Sequence, residues 1–236
     1  MASRAASLSN SSQTTVQGQQ QQQQQQQKEP LAAGQPPLAS DATPTHQRLH
    51  HELVHKGFST FRFVRVPADY YEQPLEYRQA QLGAASVSHL CKSIFMENTR
   101  IHPSAIDPGD PLSPANWANP NNSRYYVILV QYAARLNADK LKKLVHQMNG
   151  SAFGKQFFNF RLAPEFVSHA LSGYTHNAVT PIGMKASSVP MIMSHLITEL
   201  QPDFFFLGAG ETDLKVGLPA NEFVAKYSPL VADITY

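Results

Sequence analysis

Apolar and polar residues alternate in short stretches after residue 57. In 58–66 the apolar Phe61 and Phe63 are separated by an arginine, so this stretch predicts a half-buried strand. Longer apolar runs at 89–96 and 124–134 predict buried strands, and the nearly continuous run in 124–134 suits a central position in a sheet. Further short strands are predicted at 157–162, 203–207 and 214–218.

Helices are predicted between these strands. Asn137 caps a helix over 138–148, where Leu141 and Val145 lie at core spacing and Asn149-Gly150 ends it. Prolines begin three more helices, which are predicted over 74–82, from 164 to about 172, and from 219 onward. Strands and helices mix without regular βαβ repetition. The pattern therefore predicts an α+β domain with a curved, mixed or mainly antiparallel sheet flanked by helices.

The first part of the chain has a different composition. Residues 1–48 are rich in Ser, Gln, Ala, Pro and Thr and include an unbroken glutamine run at 19–27. Such a segment cannot bury enough apolar surface to offset the cost of ordering it. We therefore expect a disordered tail over 1–48 and one domain over 49–236. A proline-rich stretch at 99–123 reads as a long surface loop inserted into that domain.

The charge of the chain is close to balanced. Residues 1–48 hold three of the 19 basic and two of the 17 acidic side chains, which leaves 16 basic and 15 acidic side chains for the domain. A protein that binds nucleic acid mainly by releasing counterions is usually more basic. If the chain acts on a nucleic acid, we expect brief and local binding.

Cysteine content and apolar runs indicate a location. Cys91 is the only cysteine, which excludes an internal disulfide and fits a reducing compartment. No apolar run approaches the ~20 residues of a membrane span, so we expect a cytoplasmic protein that contacts no membrane. Ser and Thr are common before Glu29, but only Arg4 is basic before Lys28, so organellar targeting is the weaker alternative.

Two clusters could suggest a catalytic metal or nucleophile. His46, His50, His51 and His55 have helical spacing, but the supporting carboxylate of a metal site is missing. We therefore expect no metal. The alternative to a metal site is an exposed helix at the start of the domain. Cys91 lies close to His89 and Lys92, yet strand neighbours of this kind do not form a catalytic dyad, and single cysteines are commonly small buried hydrophobes.

The stretch 174–183 is the strongest candidate for a binding loop. Pro181 lacks an N–H and biases Thr180 toward extended geometry, while Asn177 and Gly183 favour loops. A loop of this kind can aim backbone N–H groups at a ligand. Lys92 is conspicuous because it lies in an apolar run, where a lysine is costly unless paired or used. The alternative to a functional role for Lys92 is a solvent-facing position on a half-buried strand.

Taken with Gly208-Ala209-Gly210, Lys92 and the loop resemble the YbaK/ProX family of aminoacyl-tRNA deacylases, over roughly 58–227. The resemblance implies a single YbaK-like domain and an editing pocket. It assigns two sets of site residues. The implied catalytic set is Lys92, Asn177, Ala178, Val179, Thr180 and Pro181. The implied substrate-binding set is His176, Gly208, Ala209 and Gly210.

The resemblance also implies an activity. It predicts trans-editing hydrolysis of mischarged aminoacyl-tRNA carrying a small amino acid such as alanine or cysteine, on a prolyl tRNA for example. The expected partners are the tRNA acceptor end and an aminoacyl-tRNA synthetase, with no cofactor. Lys92 would orient the acceptor end, the loop amides would support the developing oxyanion, and the terminal ribose hydroxyl of the tRNA would aid the attacking water.

Two departures from the family leave other functions open. Asn177 stands where many members have glycine, although asparagine tolerates left-handed geometry. Some bacterial members carry a hydroxyl at the place of Gly208 and an acid at that of Lys215, so pocket size and amino-acid preference are in doubt. A non-catalytic tRNA- or synthetase-binding module of the same fold is one alternative. Hydrolysis of another small ester or amide in the same pocket is a second.

Overall fold

The computed structural model describes residues 36–150 and 152–236, and the predicted disordered tail lies mostly outside these ranges. The described chain contains α1 (Pro44–His55), β1 (Arg62–Arg65), α2 (Leu75–Leu82), β2 (Cys91–Asn98), β3 (Tyr125–Gln131), α3 (Ala138–Met148), β4 (Phe160–Leu162), α4 (Glu165–Ser172), β5 (Met191–Ser194), α5 (His195–Thr198), β6 (Phe205–Gly208), β7 (Leu214–Leu218), α6 (Ala220–Tyr227) and β8 (Leu230–Ala232). The predicted α+β class is confirmed.

The strands form two sheets. The smaller sheet has the order β1-β7-β6 and is antiparallel throughout. The larger sheet has the order β4-β2-β3-β5-β8, in which β2 runs antiparallel to β3 and β4. Strands β3, β5 and β8 run parallel to one another, so this sheet is mixed. Lys92 of β2 pairs with Val130 of β3.

Strand β3 is central because both of its faces are buried. Val127 and Leu129 belong to the larger of the core clusters, together with residues of α1, β6 and β7. Ile128 and Val130 face a second cluster that includes Leu141 and Val145 of α3. This double burial explains why the strand is almost continuously apolar.

Helix α3 forms where its capping residue predicts. It begins at Ala138, and the Asn137 side-chain oxygen accepts hydrogen bonds from the amides of Asp139 (3.0 Å) and Lys140 (3.1 Å). Leu141 and Val145 are its buried residues. The amphipathic spacing and the cap therefore specify the same helix.

Helix α1 spans the expected domain boundary at residue 48. Thr43 caps it, and its side-chain oxygen accepts a hydrogen bond from the His46 amide. Leu49 and Leu53 are fully buried in the larger core cluster. The compact unit of the structure covers 36–236, so it already includes part of the segment assigned to the tail.

The stretch 99–123 contains three single-turn 3-10 helices, Pro103–Ala105, Pro114–Trp117 and Pro120–Asn122. Trp117 is 5% exposed and packs in the larger core cluster. Its indole N–H donates to the Ser188 hydroxyl at 3.0 Å. The buried ring therefore fastens this segment to the body of the domain. In the described ranges, no helix is both long and apolar enough to cross a membrane.

Candidate active site

A cavity of about 470 Å³ lies where β2, the loop after α4 and the end of β6 meet. Five of the residues singled out in the sequence line it: Lys92, His176, Asn177, Val179 and Gly208. The other lining residues are Tyr71, Ser93, Ile94, Phe95, Tyr132, Leu162, Ala163, Glu165, Ser168 and Tyr174. Residues distant in sequence therefore meet around one concave site.

The remaining candidates are not among the lining residues of this cavity. Ala178, Thr180 and Ala209 are fully buried. Pro181 is also buried, and it lines a separate cavity of about 300 Å³ together with Gly183. Gly210 contributes a backbone amide that donates to the Ala178 carbonyl at 3.0 Å. These residues lie behind the residues that line the cavity and support them.

The loop adopts a tight turn at Asn177. The Ala178 amide donates to the Thr175 carbonyl at 3.1 Å, and Asn177 has a φ of 62° in the left-handed region. Asparagine tolerates this conformation better than most residues, which explains how it replaces glycine here. The Tyr71 hydroxyl donates to the Asn177 carbonyl at 2.6 Å. The turn is therefore held from within and from a distant tyrosine.

At least two of the loop amides at the cavity have no protein acceptor among the described residues. Asn177 and Val179 line the cavity, and in 36–150 and 152–236 no hydrogen bond joins the amide N–H of either residue to another group. The carbonyls of Asn177 and Ala178 are both occupied by donors on the protein. The loop thus has donors left for a ligand while two of its acceptors are already bonded.

Helix α1 holds the downstream end of the loop. Arg48 donates to the Gly183 carbonyl at 2.6 Å and to the Tyr174 hydroxyl at 3.1 Å. The Tyr174 hydroxyl in turn donates to the Ile182 carbonyl at 2.7 Å. Because Tyr174 also lines the cavity, a residue from the expected tail segment helps to shape the candidate site.

The opposite wall is the end of β6, where a side chain would not fit. A Cβ atom at Gly208 would lie 3.0 Å from the Val179 carbonyl oxygen. At Gly210, which has a φ of 80°, a Cβ would lie 2.8 Å from the Tyr174 ring. The backbone of Val179 therefore favours glycine at 208, and the Tyr174 ring together with the positive φ favours glycine at 210.

Lys92 is half-buried at the cavity wall. Its Nζ lies 5.3 Å from the centroid of the Tyr132 ring, a cation–π distance. Within the described ranges no hydrogen bond or ion pair engages its ammonium. The lysine is therefore available to an anionic or oxygen-rich ligand.

Ser93 is a second unpartnered polar group at the cavity. It is 8% exposed, and its hydroxyl has no hydrogen-bond partner among the described residues. Buried hydroxyls normally have a partner, so this oxygen is a candidate ligand contact. No sequence signal marked it beyond its place next to Lys92.

Sequence reasoning assigned no role to three other residues. Tyr71 and Tyr132 line the cavity, and burial raises the pKa of both hydroxyls above its ordinary value. Lys215 lies beside the cavity with its ammonium 3.0 Å from the Tyr71 hydroxyl. A lysine in the apolar run 214–218 is the kind of signal that singled out Lys92, but in the sequence Lys215 was noted only as a departure from the family, without a role of its own.

The two clusters weighed for catalysis lie elsewhere. Cys91 is fully buried, and burial raises the pKa of its thiol, which disfavours a thiolate. His46 and His50 are buried rather than exposed, and His46 packs with its ring centroid 4.2 Å from that of Phe63. Among the described residues no group of three or more His, Cys, Asp or Glu side chains is arranged to hold a metal ion.

The chain matches no family model and no curated protein. Solved structures do match. A putative trans-editing enzyme for prolyl tRNA synthetase superposes with a TM-score of 0.61 at 18% identity, covering 83% of this chain and 99% of that one. A scaffold used for epitope backbone grafting gives a TM-score of 0.60 at 18% identity with the same coverage. A hypothetical protein gives 0.55 at 16% identity, covering 80% of this chain and 99% of that one.

These likenesses extend over nearly the whole length of the matched proteins and over the described domain. At 16–18% identity these likenesses establish the fold alone, so any reaction has to be argued from the residues of the site. The chain therefore has the YbaK-like α+β fold that its loop, Lys92 and 208–210 turn resemble.

Proposed function

We propose that this protein is a trans-editing hydrolase that deacylates mischarged aminoacyl-tRNA carrying a small amino acid. Alanine or cysteine on prolyl tRNA is the first candidate substrate. The observation that carries the proposal is the cavity itself, which brings together Gly208, a lysine and two loop amides, the lysine and the amides having no hydrogen-bond acceptor among the described residues. The fold shared with a putative trans-editing enzyme supports it.

An aminoacyl ester is already activated, so an enzyme needs chiefly to position it and to stabilise charge on the attacked carbonyl. In our proposal the amides of Asn177 and Val179 donate to the developing oxyanion. Lys92 orients the terminal phosphate or ribose of the tRNA. Gly208 forms part of the cavity wall, where its close approach to the Val179 carbonyl limits the space for the amino acid.

The attacking oxygen comes from water. Water adds to the ester carbonyl carbon, the bond from that carbon to the ribose oxygen breaks, and the departing ribose oxygen takes up a proton. The neighbouring ribose hydroxyl of the tRNA serves to align the water. The attacking water must also lose a proton. His176 is exposed at the cavity, and it is the loop residue that could accept this proton as a general base.

The proposed partners are the acceptor end of a tRNA and an aminoacyl-tRNA synthetase, and the proposed compartment is the cytoplasm. A near-neutral domain suits contact limited to the acceptor end, because such contact neutralises few phosphates. No cofactor is needed for ester hydrolysis of this kind.

The test is release of amino acid from a panel of mischarged tRNAs. We expect one tRNA to be preferred, and we expect Lys92→Ala to lower kcat/KM by about 100-fold, because a substrate that is misplaced by about 1 Å can lose that much rate. Lys92→Arg keeps the charge and should retain part of the activity. Lys155→Ala, which removes an exposed lysine away from the cavity, is the matched control and should behave like the wild type.

The variant Asn177→Gly tests whether the asparagine side chain limits the space in the pocket. If activity rises with glycine, the asparagine side chain narrows the pocket. Hydrolysis of no charged tRNA, with one tRNA still bound in a Lys92-dependent way, would replace the enzyme with a non-catalytic binding module. Equal hydrolysis of all tRNAs and of simple amino-acid esters would point instead to a small-ester hydrolase.

A further inference from the structure

Lys215 is a buried charged group that the proposed reaction does not use. It is 3% exposed and lies on β7, directly opposite Gly208 of β6. Its Nζ donates to the Thr212 carbonyl at 2.6 Å and to the Tyr71 hydroxyl at 3.0 Å. The same nitrogen lies 4.6 Å from the centroid of the Tyr71 ring. A buried lysine is costly, so a lysine held this closely by one tyrosine calls for a role.

Tyr71 connects this lysine to the candidate active site. Its ring lines the cavity, and its hydroxyl accepts from Lys215 while donating to the Asn177 carbonyl at 2.6 Å. Tyr71 and Asn177 are 106 positions apart in the sequence. The three groups form a continuous chain of hydrogen bonds from the small sheet to the binding loop.

The atom at the end of this chain decides how the loop faces the cavity. The Asn177 carbonyl and the Ala178 amide belong to one peptide group, and that amide donates to the Thr175 carbonyl. The next carbonyl, that of Ala178, accepts from the Gly210 amide. A non-glycine residue with positive φ persists only when its surroundings hold it. Tyr71 supplies one tie from outside the loop, at the Asn177 carbonyl, and Gly210 supplies another at the Ala178 carbonyl.

The surroundings of Lys215 adjust its charge. Burial is the largest cause that lowers its pKa to about 8; Arg78 also lowers it, and Asp213 opposes them. Tyr70, Tyr71, Tyr132 and Cys91 line the small cavity around it, and burial raises the pKa of all four, so they remain neutral near pH 8. Lys215 is therefore the group near Tyr71 that changes charge there.

We propose that Lys215 is a positioning residue, which acts through the Tyr71 hydroxyl to fix the Asn177 peptide and so to aim the free amides of Asn177 and Val179 into the cavity. Its consequence for catalysis rests on the proposed deacylase function. The positioning itself is a property of the loop and can be measured without a substrate.

The experiment compares Lys215→Met and Tyr71→Phe with Tyr70→Phe in the full chain. Tyr70 is the matched control because its ring also lies beside Lys215, at 5.3 Å, while its hydroxyl makes no hydrogen bond to the loop in the described ranges. Hydrogen exchange of the Ala178 and Gly210 amides is followed by NMR. We expect both network variants to accelerate this exchange by about tenfold, and the control to leave it within about twofold.

A second readout separates positioning from general loosening. The chemical shift of the Ala178 amide should titrate with an inflection near pH 8 in the wild type and in Tyr70→Phe. The inflection should vanish in Lys215→Met. Amino-acid release should fall by about tenfold in Lys215→Met and Tyr71→Phe, because misplaced groups lose effective molarity.

The outcomes are distinct. Unchanged loop exchange and an unchanged titration in folded Lys215→Met would overturn the positioning role. If Lys215→Met does not fold, Tyr71→Phe decides alone, since it removes the tie and keeps the lysine. If no tRNA is deacylated by the wild type, the proposed function fails, while the exchange and titration still decide whether Lys215 positions the loop.

Discussion

The two sides of the candidate site differ in the burial and the hydrogen bonding of a lysine. On the β2 side, Lys92 is half-buried, lies 5.3 Å from the Tyr132 ring centroid, and has no hydrogen bond or ion pair among the described residues. On the β7 side, Lys215 is 3% exposed, lies 4.6 Å from the Tyr71 ring centroid, and donates two hydrogen bonds. Both lysines face a tyrosine, yet within 36–150 and 152–236 only Lys215 has protein acceptors.

This difference indicates which of the two ammonium groups can bind a ligand. A buried polar group with partners stabilises or orients the protein, whereas an unpartnered one at a cavity can bind something else. Ser93, beside Lys92, follows the same pattern because its buried hydroxyl also lacks a partner in the part of the chain that the structure describes. The β2 side therefore presents open polar groups to a ligand, and the β7 side uses its polar groups to hold the loop.

The largest expected effect that separates the two sides is on stability. Lys215→Ala removes the donor to Thr212 and Tyr71 and leaves the space of a buried stem, so we expect unfolding free energy to fall by about 2 kcal/mol after the relief of a buried charge is included. Lys92→Ala should stay within about 0.5 kcal/mol. Urea unfolding of both variants at pH 7.5 measures this.

The contrast breaks if the two losses are equal, or if Lys92→Ala is the more destabilising. Either result would mean that Lys92 has a structural partner in solution. Lys155→Ala serves as the exposed-lysine control here too.

The next effect is on the pH dependence of stability. The pKa of Lys215 falls from 10.5 to about 8 in the folded protein. Between these values the unfolded chain binds more protons than the folded chain, so the contribution of Lys215 to stability rises with pH. Relative to Lys215→Met, the wild type should gain about 1–2 kcal/mol between pH 7.5 and pH 9.5.

The measurement is urea unfolding of wild type and Lys215→Met at the two pH values, and Lys92→Met supplies the comparison from the other side. A constant difference between wild type and Lys215→Met would show that Lys215 has an ordinary pKa. Burial would then not shape its charge.

The smallest effect concerns Ser93. Because its hydroxyl has no partner to lose, Ser93→Ala should leave unfolding free energy within about 0.5 kcal/mol. If the hydroxyl contacts the aminoacyl group, the same variant should lower kcat/KM by about fivefold, in the range of one neutral hydrogen bond. Assaying Ser93→Ala for both properties checks this, and a marked loss of stability without loss of activity would give Ser93 a structural role.

Much of the fold follows from local patterns. The helix 138–148 and its Asn137 cap agree with α3, and the apolar run 124–134 contains β3. These elements depend on neighbouring residues, so a short stretch of sequence is enough to predict them. Strand β8 was missed because Leu230–Ala232 is only three residues long and partly exposed.

The candidate site could be predicted only in part. The sequence indicated Lys92, the 174–183 loop and the 208–210 turn, because a lysine in an apolar run and a proline-containing loop are local signals. It could not indicate that Tyr71 would reach Asn177, or that Arg48 would hold Gly183, 135 positions away. Such pairs leave no periodic trace in the sequence.

By itself the sequence determined most of the strands and helices, the loop around Asn177 and the chemical types that could meet at a site. Only the tertiary structure decided that Asn177 and Val179 line the cavity while Ala178, Thr180 and Pro181 support it from behind. It also decided that Lys92 stays open and Lys215 is tied. The physical reason is that backbone propensities act over a few residues, whereas orientation and partners depend on packing between segments far apart in the chain.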